Sequence, residues 1–156
     1  MESRRKGQAM SDWMSLCVTA TVMLAALCVA SVVRAETRYE WRKVTTTAPW
    51  APRDGAGALV FRDRLWLLGG WNPNDKVHFP RICNNEVWSS EEGLDWTLVK
   101  PNTYLDATFN PAADWEGRHT AGYVVYKDRM WIVGGDANQR YYINDIWNSA
   151  DGKTTI

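Results

Sequence analysis

Few side chains of this protein are suited to catalytic or metal chemistry. Of two histidines and three cysteines in 156 residues, only His78, His119 and Cys83 lie beyond residue 35. They match no HExxH, H-x-H or CxxC spacing, and the chain has neither a G-x-S-x-G nucleophile motif nor a phosphate-binding loop. The sequence therefore predicts no metal, no cofactor and no catalytic residue, and it predicts that Cys83 is a buried small side chain.

Three polar residues that precede apolar segments are the candidate ligand-binding residues. Arg53 and Arg118 recur 65 residues apart, and His119 stands where the first occurrence has Asp54. The recurrence of an arginine at the same repeat position favours a structural role, in which it pairs with an acidic residue of a neighbouring strand. The alternative role is contact with a ligand at the mouth of the propeller. His119 is interpreted as a hydrogen-bonded loop residue, with a polar group facing a channel as the alternative.

A longer polar segment offers a second kind of contact. Residues 71–84 (WNPNDKVHFPRICN) mix aromatic, charged and amide side chains. This mixture is found in loops that contact carbohydrate, and it is also found in ordinary surface loops. The sequence leaves both interpretations open.

The candidate residues belong to a sequence unit that occurs twice in the chain. Residues 48–70 and 113–135 align with one constant offset, and 11 of the 23 positions are identical. Residues 85–93 then match 144–152 at an offset of 59, because the connecting loop of the first copy is six residues longer. Two matched blocks in the same order indicate an internal structural repeat.

Each copy has the pattern of short β-strands. Apolar runs rich in β-forming residues flank the polar turns at 62–64 and 127–129. The return strands 65–68 and 130–133 are apolar enough to be buried on both faces, with Trp66 and Trp131 at equivalent places. Third strands are predicted around Val87 and Ile146, and a fourth strand at 96–99. A four-stranded antiparallel meander must stack on copies of itself, as the blades of a β-propeller do.

The repeat resembles the kelch motif. In that family a strand closes on a glycine pair, and a tryptophan follows a dozen or more residues later. The matching residues are Gly69, Gly70 and Trp88 in the first copy, and Gly134, Gly135 and Trp147 in the second. The resemblance covers roughly residues 41–156 and implies an all-β fold of about two kelch-type blades, an incomplete propeller. The long loop of the first copy, which lacks the usual tyrosine, departs from the pattern.

The turn between the third and fourth strands shows a weaker resemblance. Residues 89–96 (SSEEGLDW) are similar to the Asp-box hairpin of sialidase-like propellers, with Glu91 in place of the aspartate. In that family the box is structural, so the resemblance implies a tight turn with a tryptophan packed beneath it and no catalytic role.

Residues 1–35 are interpreted as an export signal. A basic start is followed by an uncharged apolar run at 16–33 and by the sequence Val33-Arg34-Ala35, which suits signal peptidase. Cleavage after Ala35 would leave residues 36–156 as a secreted or periplasmic protein without Cys17 and Cys28. The alternative is a retained membrane anchor, since about 18 apolar residues can span a bilayer.

The number of predicted strands is too small for a closed propeller. Residues 40–44 resemble 95–99, so the exported part is expected to open on a fourth-strand-like segment. The second copy stops before its own fourth strand, whereas a closed propeller has roughly 4–8 blades. We therefore expect the chain to be the front of a longer protein, a truncated product or one of several assembling copies, and a frameshift is the simplest of these interpretations. Self-association through unpaired blades is expected.

The charge composition excludes one class of function. The chain has 18 basic and 18 acidic residues, which argues against nucleic-acid binding, and it has no expected membrane contact unless the N-terminal segment is retained. We expect an exported kelch-repeat binding module for protein or carbohydrate, without catalysis of its own. The alternative is the N-terminal part of a sugar-active propeller enzyme resembling sialic-acid mutarotase or galactose oxidase. A copper site of the latter kind needs Tyr, His and Cys ligands that this sequence does not bring together.

Overall fold

The computed structural model describes residues 38–137 and 141–153. The chain divides into a unit of residues 1–41 and a unit of residues 42–156. The predicted export signal, residues 1–35, lies outside the described residues. In the described ranges the protein contains seven β-strands and no helix, and hence no helix there that could cross a membrane. The predicted all-β class is confirmed.

The strands form two antiparallel meanders, one for each sequence copy. The first sheet has the order β1-β2-β3-β4 and the second the order β5-β6-β7. Their bounds are β1 Gly57–Phe61, β2 Arg64–Trp71, β3 Cys83–Ser90, β4 Thr97–Lys100, β5 Gly122–Val125, β6 Met130–Ala137 and β7 Tyr141–Ser149. All seven strands overlap those that the sequence predicts. The architecture is that of two propeller-like blades in an incomplete ring.

The first hairpin of each sheet is closed by the same polar turn. Arg62 and Asp63 have φ values of 50° and 56°, and Lys127 and Asp128 have 49° and 53°. Two consecutive positive φ angles match the right-handed twist of the flanking strands, which is why such turns close tight hairpins. Trp66 and Trp131 then donate their indole N–H to the carbonyls of residues 61 and 126, at 2.9 and 2.8 Å. Their predicted equivalence is confirmed.

The glycine pairs mark a bulge in the second strand of each sheet. Gly69 and Gly70 have φ values of 63° and 110°, and Gly134 and Gly135 have 58° and 124°. The pairing register shifts at each pair. Residues with a Cβ are strained at such angles, and a Cβ on Gly69 would lie 2.9 Å from the carbonyl oxygen of Arg118.

The core lies between the two sheets. Each sheet has a front face and a back face, and the back face of the first sheet packs against the front face of the second. The back face of the first sheet consists of Leu59, Trp66, Leu68 and Val87, which share one side because they alternate along β2 or pair across it. The front face of the second sheet consists of Met130, Ile132 and Trp147, with Trp115 from the preceding loop.

The return strands correct one prediction, because neither is fully buried on both faces. In β2, Leu65 and Leu67 are half-buried; in β6, Trp131 is half-buried and Val133 is exposed. Val124 and Ile146 complete this exposed back face, since they pair with Trp131 and Val133. Apolar composition predicted burial, but no sheet of the described chain packs on that side.

A second correction concerns the segment before the first sheet. Residues 40–44 resemble the fourth strand, yet residues 38–53 contain no strand. A strand needs the edge of a partner strand for its backbone hydrogen bonds, and a local sequence match cannot supply one. Trp50, which follows this segment, packs instead against Trp88 and Trp96, with ring centroids 5.9 and 4.6 Å apart.

The turn after β3 has the structural role that its motif implies. The amide of Gly93 donates to the hydroxyl oxygen of Ser90 at 2.8 Å, and Trp96 donates its indole N–H to the carbonyl of Gly93 at 3.0 Å. Gly152 repeats the first of these bonds with Ser149 at 2.9 Å. The turn after the third strand is thus stabilised by a side-chain to backbone bond in both copies.

Candidate functional site

Arg53 joins the segment before the first sheet to strands β2 and β3. Its Nε donates to the carbonyl of Ala51 at 3.1 Å, and its Nη1 donates to the carbonyl of Gly69 at 3.1 Å and to Asn84 Oδ1 at 2.8 Å. Its Nη2 pairs with the carboxylate of Glu86 at 2.6 Å. The predicted pairing with an acidic residue of a neighbouring strand is confirmed.

Arg118 repeats the arrangement in the second sheet and is completely buried. Its Nε donates to the carbonyl of Glu116 at 2.9 Å and its Nη1 to that of Gly134 at 3.1 Å. Both terminal nitrogens contact the carboxylate of Asp145, with Nη2 3.1 Å from Oδ2. The predicted acidic partner is confirmed here as well.

A tryptophan completes each arrangement. Trp88 donates its indole N–H to Glu86 at 3.0 Å, and Trp147 donates to Asp145 at 2.7 Å. Burial opposes ionisation of Asp145, but the hydrogen bonds from Arg118 and Trp147 and the guanidinium charge outweigh it and lower the pKa of that carboxyl. These Arg–acid–Trp sets, together with the glycine pairs, form the polar framework of each sheet.

The hydrogen bonds of the polar framework bear on whether the two arginines can contact a ligand. The guanidinium donors of Arg118 are taken up inside the protein, and the side chain of Arg53 is nearly as buried. The structure therefore supports the structural interpretation of both residues. Direct ligand contact by either arginine stays a prediction.

His119 lies between the two copies. Its Nε2 is 3.4 Å from Asp136 Oδ2 in its own sheet, and its Nδ1 is 4.0 Å from Asp54 Oδ2 in the first copy. The ring is mostly buried and lies 6.1 Å from the ring of Trp71, centroid to centroid. Its backbone exchanges two hydrogen bonds of 3.0 Å with Asp136, but neither ring nitrogen has a hydrogen-bond partner among the described residues. The predicted hydrogen bonding therefore holds for the backbone and not for the side chain, and the alternative of a channel-facing group stays a prediction.

Tyr123 and Cys83 are two further residues that approach the other copy. Tyr123 lies on the front side of the second sheet, where burial raises the pKa of its phenol to about 12, while the Arg118 charge acts in the opposite sense. Cys83 is buried, as predicted, with its sulfur 3.9 Å from the carbonyl oxygen of Asp136. In the ranges 38–137 and 141–153, no group of three or more His, Cys, Asp or Glu side chains is placed to hold a metal ion.

An open polar site lies at the end of the first sheet, between two loops. The first loop is residues 72–82, the part of the predicted segment 71–84 that connects β2 to β3. The second is residues 101–114, the first part of the connection from β4 to β5. Asn85 of β3 anchors the second loop: its Oδ1 accepts from the amide of Thr103 at 2.8 Å, and its Nδ2 donates to the carbonyl of Trp115 at 2.7 Å. Asp114 is fixed by an ion pair with Lys100 at 2.9 Å.

Two cavities open beside this pair of loops. A small cavity of about 60 Å³ is lined by residues that include Arg53, Asp75, Arg81 and Glu86. A larger cavity of about 400 Å³, called here the loop cavity, is formed by residues of the second loop. Its lining residues include Thr103, Asp106, Phe109 and Asn110. Asn102 and Tyr104 line both cavities and separate them.

Tyr104 is held in place by the first loop. Its ring stacks on the ring of His78 with centroids 3.6 Å apart and an interplanar angle of 17°. His78 in turn contacts Asp75 through Nδ1 at 2.7 Å. Burial opposes ionisation of Asp75, but hydrogen bonds from the amide and ring of His78 lower the pKa of that carboxyl. Arg81 also joins the loops by donating to the carbonyl of Leu105.

The sequence predictions found half of this site. Arg53 and the segment 71–84 line the small cavity, whereas Arg118 and His119 line neither cavity. Residues 101–114 were missed, although the stretch PNTYLDATFNPAAD combines amide, carboxylate and aromatic side chains between two predicted strands. That composition was the available signal.

The comparison with known proteins adds no family assignment. No family model matches this sequence.

Proposed function

We propose that this protein is an exported binding module built from kelch-type blades, and that the loop cavity binds carbohydrate. The observation that carries the proposal is the loop cavity itself. Its volume of about 400 Å³ lies in the range of small-molecule sites, which extend over ~300–1,000 Å³ and combine aromatic walls with a few oriented polar groups.

The lining suits a sugar ring. A sugar presents a patch of C–H groups that packs on an aromatic ring, and hydroxyls that both donate and accept hydrogen bonds. Tyr104 stays 40% exposed although it stacks on His78, so part of its surface is open to such packing. Asn102, Asp106 and Asn110 supply amide and carboxylate groups around it.

The polar groups are already oriented. Asp106 accepts from the amide and the hydroxyl of Thr108 at 2.8 and 2.6 Å, and Asn110 accepts from the amide of Ala112 at 3.0 Å. Those hydrogen bonds from Thr108 are the main reason that the pKa of Asp106 is lowered. A site whose side chains are held before binding loses less conformational entropy when the ligand arrives.

The cavity supports binding better than hydrolysis. Glycosidases place a free carboxylic acid and a carboxylate on opposite sides of the scissile bond. Here the two carboxylates are Asp106, which is held ionised by Thr108, and Asp114, which is paired with Lys100 at 2.9 Å. Asp106 is therefore not set up as a proton donor, and Asp114 already has a cationic partner.

A glycan array probed with the full chain tests the proposal. We expect binding to a defined glycan class, and we expect Tyr104→Ala to weaken it by about tenfold or more because the stacking surface is removed. Tyr126→Ala is the matched control, since Tyr126 is an exposed tyrosine of the β5–β6 turn, and it should bind as the unmodified chain does. Absence of glycan binding by the unmodified chain, or equal loss in both variants, would refute the proposal.

A further inference from the structure

The back face of the second sheet repeats a surface that is buried elsewhere in the same molecule. Val124, Trp131, Val133 and Ile146 are the repeat equivalents of Leu59, Trp66, Leu68 and Val87. In the first sheet Leu68 and Val87 are 3% and 2% exposed, whereas Val133 and Ile146 are 42% and 61% exposed. The two faces have the same chemistry, and only one of them is covered.

The front face of the first sheet repeats the surface that does the covering. Trp50, Leu65, Leu67 and Trp88 are the equivalents of Trp115, Met130, Ile132 and Trp147. In the second sheet Trp115, Met130 and Ile132 are buried against the first sheet. All four equivalents on the first sheet are only half-buried. The front face of the first sheet and the back face of the second sheet are thus both uncovered in one chain. They are equivalent to the two faces that pack against each other in the core between the sheets.

We propose that the front face of the first sheet docks on the back face of the second sheet of another copy of this chain. The contact would reproduce the internal packing of sheet on sheet. Its partner is a second copy because the complementary surface is present on this chain, at the same positions and with the same pairing register. Burial of contiguous apolar faces of this kind drives specific association.

The symmetry of the contact follows from its two different halves. A surface that meets a different surface of the next copy forms a head-to-tail interface, which closes into a ring or grows into a filament. Propeller rings contain roughly 4–8 blades, and each copy supplies two sheets. A closed assembly would therefore contain about two to four copies.

Site-specific photo-crosslinking tests the docking geometry. Within the chain, a Cβ on Gly152 would lie 3.2 Å from Val87 Cγ1 and 2.5 Å from the ring of Trp66. The repeat equivalents are Ile146 and Trp131 on one copy and Gly93 on the next. We expect p-benzoylphenylalanine at position 146 of the full chain to crosslink to residues 89–96 of a second copy, as read by mass spectrometry.

Two outcomes of the crosslinking would overturn the proposal. Crosslinks into β7 of the other copy would show edge-to-edge strand pairing instead of face-to-face docking. Absence of crosslinks between copies at concentrations where the chain sediments as an oligomer would place the contact elsewhere. The same probe at Val77, an exposed loop position, is the control and should give no crosslink between copies.

A charge variant measures the strength of the contact. Val133→Lys with Ile146→Lys would bury two unpaired charges in the docked state, so we expect the dissociation constant from analytical ultracentrifugation to rise about 100-fold. Both residues are exposed in one copy, so the melting midpoint of the dilute protein should be retained. Val77→Lys should change neither quantity. An unchanged dissociation constant in the double variant, or a chain that stays monomeric throughout, would refute the docking surface.

Discussion

The two sheets share half of their aligned residues and differ in what lies against them. Trp66 is buried by the second sheet, whereas Trp131, its equivalent, is half-buried. The Arg–acid–Trp sets show the opposite behaviour, because Arg53 and Arg118 make corresponding hydrogen bonds in both sheets. Contacts made within one copy are therefore reproduced by the repeat, whereas contacts between copies depend on the neighbour.

The largest expected difference is between the two tryptophans. Trp66→Ala should lower the free energy of unfolding by about 3–5 kcal/mol because it leaves a cavity between the sheets. Trp131→Ala should cost only about 1–2 kcal/mol in dilute protein, since part of the ring is already in water. Urea unfolding curves of the two variants measure the difference, with Trp41→Ala, an almost fully exposed tryptophan, as the control. Equal losses for Trp66 and Trp131 would mean that both back faces are covered in solution.

Two glycines at equivalent positions, Gly57 and Gly122, provide a second test of the difference between the sheets. A Cβ on Gly57 would lie 2.3 Å from the ring of Tyr123, whereas a Cβ on Gly122, its equivalent, would lie 3.4 Å from Val133. We expect Gly57→Ala to destabilise by about 2 kcal/mol because the sheets must separate. Gly122→Ala should be neutral or stabilise by about 0.5 kcal/mol, since alanine has less backbone freedom to lose. Thermal denaturation of both variants decides it, and a destabilised Gly122→Ala would contradict the open back face.

The smallest expected effect is the pH dependence of the stability that the Asp145 carboxylate contributes. The pKa of Asp145 is lowered from 3.8 in the folded protein, so its contribution to stability is complete above about pH 4 and is lost as the pH falls through the folded pKa. Asp145→Asn should reduce stability at pH 7 by about 1 kcal/mol, because the charged hydrogen bonds are lost and partial exposure weakens them.

Urea midpoints at pH 7 and pH 3 measure this effect. The unmodified chain should lose more stability on acidification than the Asp145→Asn variant does. Asp95→Asn is the control, because Asp95 is an exposed carboxylate outside the framework, and it should keep the full pH dependence. An identical loss in the Asp145 and Asp95 variants would show that Arg118 does not stabilise the ionised carboxylate.

Sequence patterns predicted the elements that are specified locally. The turns at Arg62 and Lys127 and the glycine pairs follow from short-range chemistry and were correct. The burial of Cys83 was also correct, and it was predicted from the general tendency of free cysteine to be buried. The acidic partners of the two arginines were predicted as a class because an arginine repeated at one position needs the same partner twice. Their identities, Glu86 and Asp145, required the strand register.

The errors concern features that depend on neighbours. Residues 40–44 resemble a strand but pair with no sheet edge, and β6 has the composition of a buried strand but an uncovered back face. The second loop of the candidate site, residues 101–114, was overlooked because its ligand-like side chains are brought to His78 and Arg53 only by the fold.

The amino-acid sequence by itself determined that this chain forms two copies of one β-meander, each with its own hairpin, bulge and arginine-centred framework. These features depend on backbone angles and on partners within one copy, so a repeat in the sequence repeats them in space. Only the tertiary structure decided which apolar face is buried, which loops enclose the loop cavity and where His119 lies. Burial depends on the surface that arrives from elsewhere in the molecule, and apolar side chains at equivalent positions are therefore core residues in one sheet and exposed in the other.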